Sequence, residues 1–338
     1  MRNKVSIVVP CRNEEKYIGQ CLDSLIYNDY KPVEIIVIDG DSDDDTKKIL
    51  ENYQERHNSV QVLENKEKYT PISLNKGIRN ASGDYIMIAG AHSFFPPDYI
   101  SGLVEVLEGL PEAVGVGGTM EIVSDDSYKA NVVKKVLSDK FGVGNSTFRV
   151  GTRNLADVDT LPFGLYYEEV FQKAGLYDER LIRNQDIEWS KRAVKYAGQL
   201  FLVPGINCTY YLRGSYAYLA WSNFRNGFWN ILTIYLTKNP SSLRLRHFIP
   251  LVFMLSLILP IFGAIFFSSV SLWLPLMVLG LYLVTMGRRS IFLAERHKQI
   301  PGILCAFLTL HLSYGLGSLI GLFQIHRLFS IKRSNTAD

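Results

Sequence analysis

Residues 83–99 read GDYIMIAGAHSFFPPDY. Tyr85–Ala89 is a short, continuous apolar run between turn formers, the pattern of an interior strand in a parallel sheet. The run empties into Gly90, Ala91 and His92, and Pro96 and Pro97 then open a helix. In open α/β sheets ligands bind beyond the carboxyl ends of such strands. The stretch therefore predicts the floor of a binding site.

Outward from it, the N-terminal side alternates strand and helix. Val5–Val9 is a strand that ends in Pro10-Cys11-Arg12-Asn13-Glu14-Glu15, and Ile18, Cys21, Leu22 and Leu25 follow at helical spacing. Glu34–Ile38 is a second strand, ending in Asp39-Gly40-Asp41-Ser42 and three further residues of Asp. A helix carrying Ile49, Leu50 and Tyr53, a strand at Val60–Leu63 and a helix at Pro71–Arg79 lead to the central run. This alternation predicts an α/β fold, a mostly parallel, doubly wound sheet with helices on both faces. Further on, Val114–Val123 and Val158–Phe163 read as strands. Glu168–Ala174 and Asp186–Tyr196 read as helices.

The 338 residues exceed one average domain, and a net charge of +3 excludes a strongly basic nucleic-acid binder. Cys11, Cys21, Cys208 and Cys305 show no metal-ligand spacing and read as reduced, buried thiols. Val5–Val9 is too short for a signal-peptide core, and Pro10 ends it. The composition splits near residue 243. Tyr210–Leu236 is aromatic-rich, with Tyr218, Trp221, Phe224 or Arg225, Phe228 and Leu232 on one face, which reads as an interfacial helix. Phe248–Phe267 is long enough to cross a bilayer; Leu272–Met286 and Ile303–Phe323 are further candidates. Arg244, Arg246, Arg288, Arg289, Arg296 and Lys298 put the flanking loops on the cytoplasmic side. Three full spans would carry the basic tail, Arg327 to Arg333, outside. The third segment is therefore left open as spanning, re-entrant or interfacial.

In order, PCRNEE, IDGDSDDDT, SLNKG, the central strand and NQDIEW resemble the family 2 glycosyltransferases with the GT-A fold, over residues 4–205. PFGLYYEEVFQKAGLYDERL and the apolar tail bring the chain nearest to the succinoglycan-type branch of exopolysaccharide enzymes. The resemblance implies a cytoplasmic GT-A domain over 1–209, an interfacial segment over 210–243 and a membrane region over 244–338. It further implies inverting transfer from a nucleotide-diphosphate sugar, UDP-linked, to a polyprenyl-diphosphate-linked saccharide held at the plasma membrane.

Carried over residue by residue, the resemblance puts Pro10, Arg12 and Glu14 beside the nucleotide and Asp39 on the base. Asp41 stands one residue from the position of the family's second acid. Lys76 takes a nucleotide-contacting position. Gly90-Ala91-His92 replaces the Asp-x-Asp metal motif, so His92 is a ligand for Mn²⁺ or Mg²⁺, a contact to the leaving phosphate, or a structural histidine. Asp186 falls where the family keeps its general base, with Gln185 in place of the preceding Glu; it could also be a helix N-cap. Glu188 and Trp189 are expected to line the acceptor side. The missing acid at Gly90 keeps a rival reading, a non-catalytic nucleotide-sugar-binding protein at the membrane. A nucleotidyltransferase would want a Gly-rich phosphate loop, which PCRNEE is not.

Overall fold

The computed structural model describes residues 3–144, 146–212, 214–239, 243, 245–266 and 273–334. Arg244, Phe267 and Leu272, which bound the apolar segments in the sequence, lie outside the described residues. The chain divides into two compact units, Met1–Val123 with Asn145–Tyr211, and Ser124–Gly144 with Leu212–Asp338.

The first unit opens with β1 (Val5–Cys11), α1 (Ile18–Ile26), β2 (Val33–Asp39), α2 (Thr46–Arg56), β3 (Val60–Glu64), α3 (Thr70–Asn80) and β4 (Tyr85–Ile88). Then come β5 (Ser93–Phe94), α4 (Tyr99–Gly109) and β6 (Ala113–Val123). The chain leaves through α5 (Tyr128–Leu137) and α6 (Lys140–Val143) of the second unit. It returns as α7 (Thr147–Val150), β7 (Ala156–Asp157), β8 (Leu165–Tyr167), α8 (Glu168–Ala174), α9 (Gln185–Tyr196) and β9 (Gln199–Tyr211).

The sheet runs β3-β2-β1-β4-β8-β6-β9-β5, with β7 on β9. β1 to β4 are mutually parallel, and β8 enters antiparallel between β4 and β6. The strands are apolar on both faces because both faces are covered. Ile7, Val9, Ile35, Val37 and Met87 face α1 and α4, whereas Val8, Ile36, Ile38 and Ile86 face α3, α8 and α9. This two-residue alternation fixes the register, since a one-residue slip would exchange the two cores.

One expectation fails here, and one strand goes beyond what was expected. Val158–Phe163 is not a strand: Pro162 cannot donate to a ladder, and Phe163 turns the chain at φ 44°. The paired segments are β7 and β8 on either side. β9 was hidden because Pro204 and Gly205 look like a break. The strand crosses them, shifting register against β6 between Gly118 and Thr119.

The second unit holds α5, α6, α10 (Tyr216–Thr237), α11 (Ile249–Phe266), α12 (Trp273–Leu293) and α13 (Ile300–Ser334). The sequence had placed 124–144 within the first domain. Instead, Tyr128 Oη donates to the Lys298 carbonyl (2.7 Å), Lys135 pairs with Glu295 (2.7 Å) and Arg289 pairs with the buried Asp139. Three stretches are long and apolar enough to cross a membrane: Leu245–Ala264, Trp273–Leu293 and His297–Gln324. α13 is one unbroken helix, so the re-entrant form of that segment is not what it adopts. α10 starts only at Tyr216, because Tyr210 and Tyr211 belong to β9. It buries Leu219, Asn223, Gly227, Asn230 and Ile231, while Tyr218 and Trp221 of the aromatic face stay exposed.

Candidate active site

The carboxyl ends of β1, β2 and β4 lie side by side in the sheet, and each carries a polar loop. The first two loops are pinned together. The Asn13 N–H donates to Ser42 Oγ (2.9 Å) and the Glu14 N–H to Thr46 Oγ1 (2.8 Å). Asp39 is buried and closes its own turn, accepting from the Ser42 N–H (3.2 Å) and from Ser42 Oγ (2.5 Å). Asp41 sits at φ 55° between Lys68 (2.8 Å) and Lys47 (3.1 Å), which hold its carboxyl at about 2. Arg12 is exposed on the β1 loop, directly after Pro10 and Cys11.

Glu14 differs from expectation. Its side chain turns inward, only 9% exposed, and places Oε1 3.2 Å from His92 Nδ1. The β1 loop and the β4 loop are thus joined by a carboxylate–imidazole contact. The same buried corner holds Cys11 and Cys21, both of whose thiols burial pushes up, Cys21 to about 12. Cys21 Sγ donates to the Gly90 carbonyl (3.4 Å), and the His92 ring meets the edge of Tyr210 (4.8 Å between centroids).

Gly90 and Ala91 have a steric explanation. A Cβ on Gly90 would lie 2.5 Å from Phe163 Cε1 and 2.8 Å from Cζ, so the Phe163 ring fills the space a carboxylate side chain would need. Phe163 is held in its left-handed conformation by the edge of Phe95 (5.7 Å) and by Tyr99 Oη donating to its carbonyl (3.3 Å). Ala91 is buried.

Among the described residues no three His, Cys, Asp or Glu side chains converge as a metal site. Of the Gly90-Ala91-His92 stretch only His92 offers a side-chain ligand atom, with Glu14 Oε1 3.2 Å from its Nδ1.

Asp186 lies in the first turn of α9, two residues after the N-cap position at Asn184. The carboxyl keeps access to solvent, yet the protein around it raises its pKa above the ordinary carboxylate value. The Ile187 and Asp186 N–H groups, Arg149 and Arg183 pull the other way. Tyr166 and Tyr177 share this pocket, their hydroxyls pushed up by burial and by Asp186. Arg149 and Arg183 were not singled out in the sequence; Arg183 stands three residues before Asp186, and Arg149 carries no local motif.

Two expectations are corrected. Trp189 is fully buried, donates to the Gly175 carbonyl (2.8 Å) and stacks on Phe171 (4.5 Å); it holds the helix rather than an acceptor. Glu188 is buried against Arg192 (2.7 Å), which also binds the Ala174 and Leu176 carbonyls. Lys76 donates to the Glu64 carbonyl (2.5 Å) at the end of β3.

A mixed, mostly parallel sheet with polar loops on three adjacent strand ends is shared with the GT-A nucleotide-diphospho-sugar transferases. Solved structures of that class superpose on this chain. The mannosyltransferase PcManGT from Pyrobaculum calidifontis, in complex with GDP-Man and Mn²⁺, does so with TM-score 0.56 and 19% identity, covering 93% of this chain and 87% of that one. S. aureus TarS 1–349 in complex with UDP gives 0.52 and 16%, over 93% and 90%. Residues 6–166 match the sequence model of Glycosyl transferase family 2. It is 29% identical to a dolichyl N-acetyl-alpha-D-glucosaminyl phosphate 3-beta-D-2,3-diacetamido-2,3-dideoxy-beta-D-glucuronosyltransferase of Methanococcus voltae, over 69% of this chain and 78% of that protein. It is 24% identical to the succinoglycan biosynthesis protein ExoA of Rhizobium meliloti, over 92% of each.

Proposed function

We propose that this chain is an inverting glycosyltransferase. It moves a sugar from a nucleotide-diphosphate donor, UDP-linked in the first instance, to a saccharide on a polyprenyl diphosphate, in the synthesis of bacterial surface or exopolysaccharide. The relatives named for a dolichyl phosphate acceptor and for succinoglycan synthesis support the lipid-held acceptor. The apolar helices support attachment to the plasma membrane by more than one span, with the sheet unit at its cytoplasmic face.

The observation that carries the reading is Asp186, an acid with a raised pKa and solvent access at the start of α9. A general base must be ionised at working pH yet basic enough to take a proton, and a carboxylate raised by desolvation meets both conditions. Asp186 removes the acceptor hydroxyl's proton as the oxygen attacks the anomeric carbon; the sugar–phosphate bond breaks and the nucleoside diphosphate leaves. Asp39 and the β1 loop with Arg12 hold the nucleotide. His92, set by Glu14, faces the departing diphosphate. A divalent ion, when bound there with His92, would supply positive charge for the leaving group.

The rival reading, a nucleotide-sugar binder without catalysis, rests on the acid position closed off at Gly90 by Phe163. A screen of nucleotide-sugars for nucleoside diphosphate release, with and without Mn²⁺ and Mg²⁺, separates the two. Acceptor-dependent release from one donor is expected. Donor binding without release under any condition would favour the rival.

A further inference from the structure

Phe253, in the first turns of α11, stacks on Tyr282 of α12 (4.7 Å between centroids). Tyr282 Oη lies 2.9 Å from His311 Nδ1 on α13, and His311 Nε2 lies 2.9 Å from the Phe141 carbonyl on α6. The four elements therefore meet at one level. α12 leads into α13 through a short turn, so the two run antiparallel. From that level α12 continues to Leu293, and α13 begins as far back, at Ile300. At the helical rise the hairpin projects about 16 Å past the first turns of α11.

The projecting part is packed as a protein core. α5 lies against the first turns of α13. Tyr128 Oη donates to the Lys298 carbonyl (2.7 Å), and the Tyr128 ring abuts Gly302. α5 buries Ala130, Val132, Val133 and Val136, and α13 buries Ile303, Ala306, Phe307 and Leu310. Among the described residues no large apolar side chain over 300–310 is exposed, whereas Leu312, Leu316, Leu322 and Phe323 are. The early turns of α13 satisfy their apolarity against protein; the later turns face outward.

Charge sets the same division. Residues 128–143 and 288–310 carry two acids, and both are taken: Asp139 by Arg289 and Glu295 by Lys135 (2.7 Å). Lys129, Lys134, Lys140, Arg288, Arg296 and Lys298 make no ion pair among the described residues. Unpaired cations are costly in hydrocarbon and favourable beside anionic headgroups. These six are spread over α5, α6, the end of α12 and the turn after it. Such a spread matches a charged surface rather than a single diphosphate.

We propose that the projecting α12–α13 hairpin, with α5 and α6, forms a basic layer outside the bilayer, and that this layer binds the headgroups of anionic phospholipid. α13 enters the bilayer near His311, so the first part of the third apolar segment is a protein core and not a span. Arg289, over Phe141 (5.6 Å) and Phe292 (4.5 Å), lies at the boundary, where aromatic and basic side chains collect.

The proposal rests on the membrane attachment above, and its test separates the two. Full-length protein is placed in lipid nanodiscs, where both membrane faces meet water, and treated with a charged maleimide. Native Cys305, exposed on the early part of α13, is compared with Leu316→Cys in a chain carrying Cys305→Ser; the other cysteines are buried. Labelling of Cys305 at once, with residue 316 labelled only after detergent, is expected. Protection of Cys305 until detergent would overturn the layer. Labelling of residue 316 without detergent would overturn the attachment, and the layer with it.

Headgroup binding is read by thermal unfolding in neutral detergent with added phosphatidylglycerol, phosphatidylcholine or inorganic phosphate. Phosphatidylglycerol alone should raise the midpoint. The rise should shrink in high salt and vanish in a chain carrying Lys140→Gln, Arg288→Gln, Arg296→Gln and Lys298→Gln. An equal rise with phosphatidylcholine, or an unchanged rise in the fourfold variant, would overturn the headgroup contact. Inorganic phosphate reproducing the rise would show a discrete anion site and overturn it as well.

Discussion

In the proposed reaction Asp186 is the base, and its environment makes opposite predictions for rate and stability. Its pKa is raised in the fold, mainly by desolvation. The folded state therefore holds this proton more tightly than the unfolded chain, and stability from this group declines as pH rises from the unfolded value through the folded one. At neutral pH the ionised carboxylate is a burden on the fold. Asp186→Asn is expected to melt at the same temperature as wild type or higher, read by thermal unfolding at pH 7. The acid limb of the wild-type rate should lie above the ordinary carboxylate range, because the base must lose its proton to work. A limb at or below that range would remove Asp186 from the role. At the neighbouring pair, Glu14→Ala frees the His92 ring and is expected to weaken turnover by about 10–100-fold, the usual effect of losing a carboxylate behind a ligand histidine. Glu14→Gln, which still offers an acceptor oxygen to Nδ1, should lose less. Equal losses in the two variants would show that charge, not orientation, is what Glu14 supplies.

At the scale of elements, Gly90 and Phe163 act as one piece. Gly90→Asp alone drives a side chain into the Phe163 ring and should lower stability; overpacking of this kind costs about 1–3 kcal/mol. With Phe163→Ala the same Asp has room, and the double variant should recover part of that loss in denaturant unfolding. If Gly90→Asp is as stable as wild type, the ring does not hold that space. Trp189→Ala, at the centre of the Phe171, Tyr166 and Tyr177 cluster, should cost about 3–5 kcal/mol. The interior strands β1, β2 and β4 were legible because burial on both faces writes a short apolar run into the chain. β9 was not, because Pro204 and Gly205 are tolerated only through a register shift that depends on β6. The spacing that marked Asp39, His92 and Asp186 could be read from strand ends and motifs. The inward turn of Glu14 and the burial of Trp189 and Glu188 are tertiary facts with no local signature.

For the whole molecule, 124–144 joins the helical unit although both of its flanks belong to the sheet unit. Its Asp139, Phe141 and Tyr128 find distant partners on α12 and α13 and on the turn between them. No periodicity within the segment could reveal this. The apolar helices of that unit predict that full-length protein pellets with membranes and resists carbonate extraction; carbonate-soluble protein would exclude integral spans. The most direct test of nucleotide-sugar transfer with Asp186 as base is the rate of transfer to the lipid-linked acceptor by Asp186→Asn, measured beside donor affinity by calorimetry. The account predicts a rate lower by about 10²–10⁴-fold with donor affinity changed no more than a few-fold. Near-normal transfer by the folded variant would contradict it.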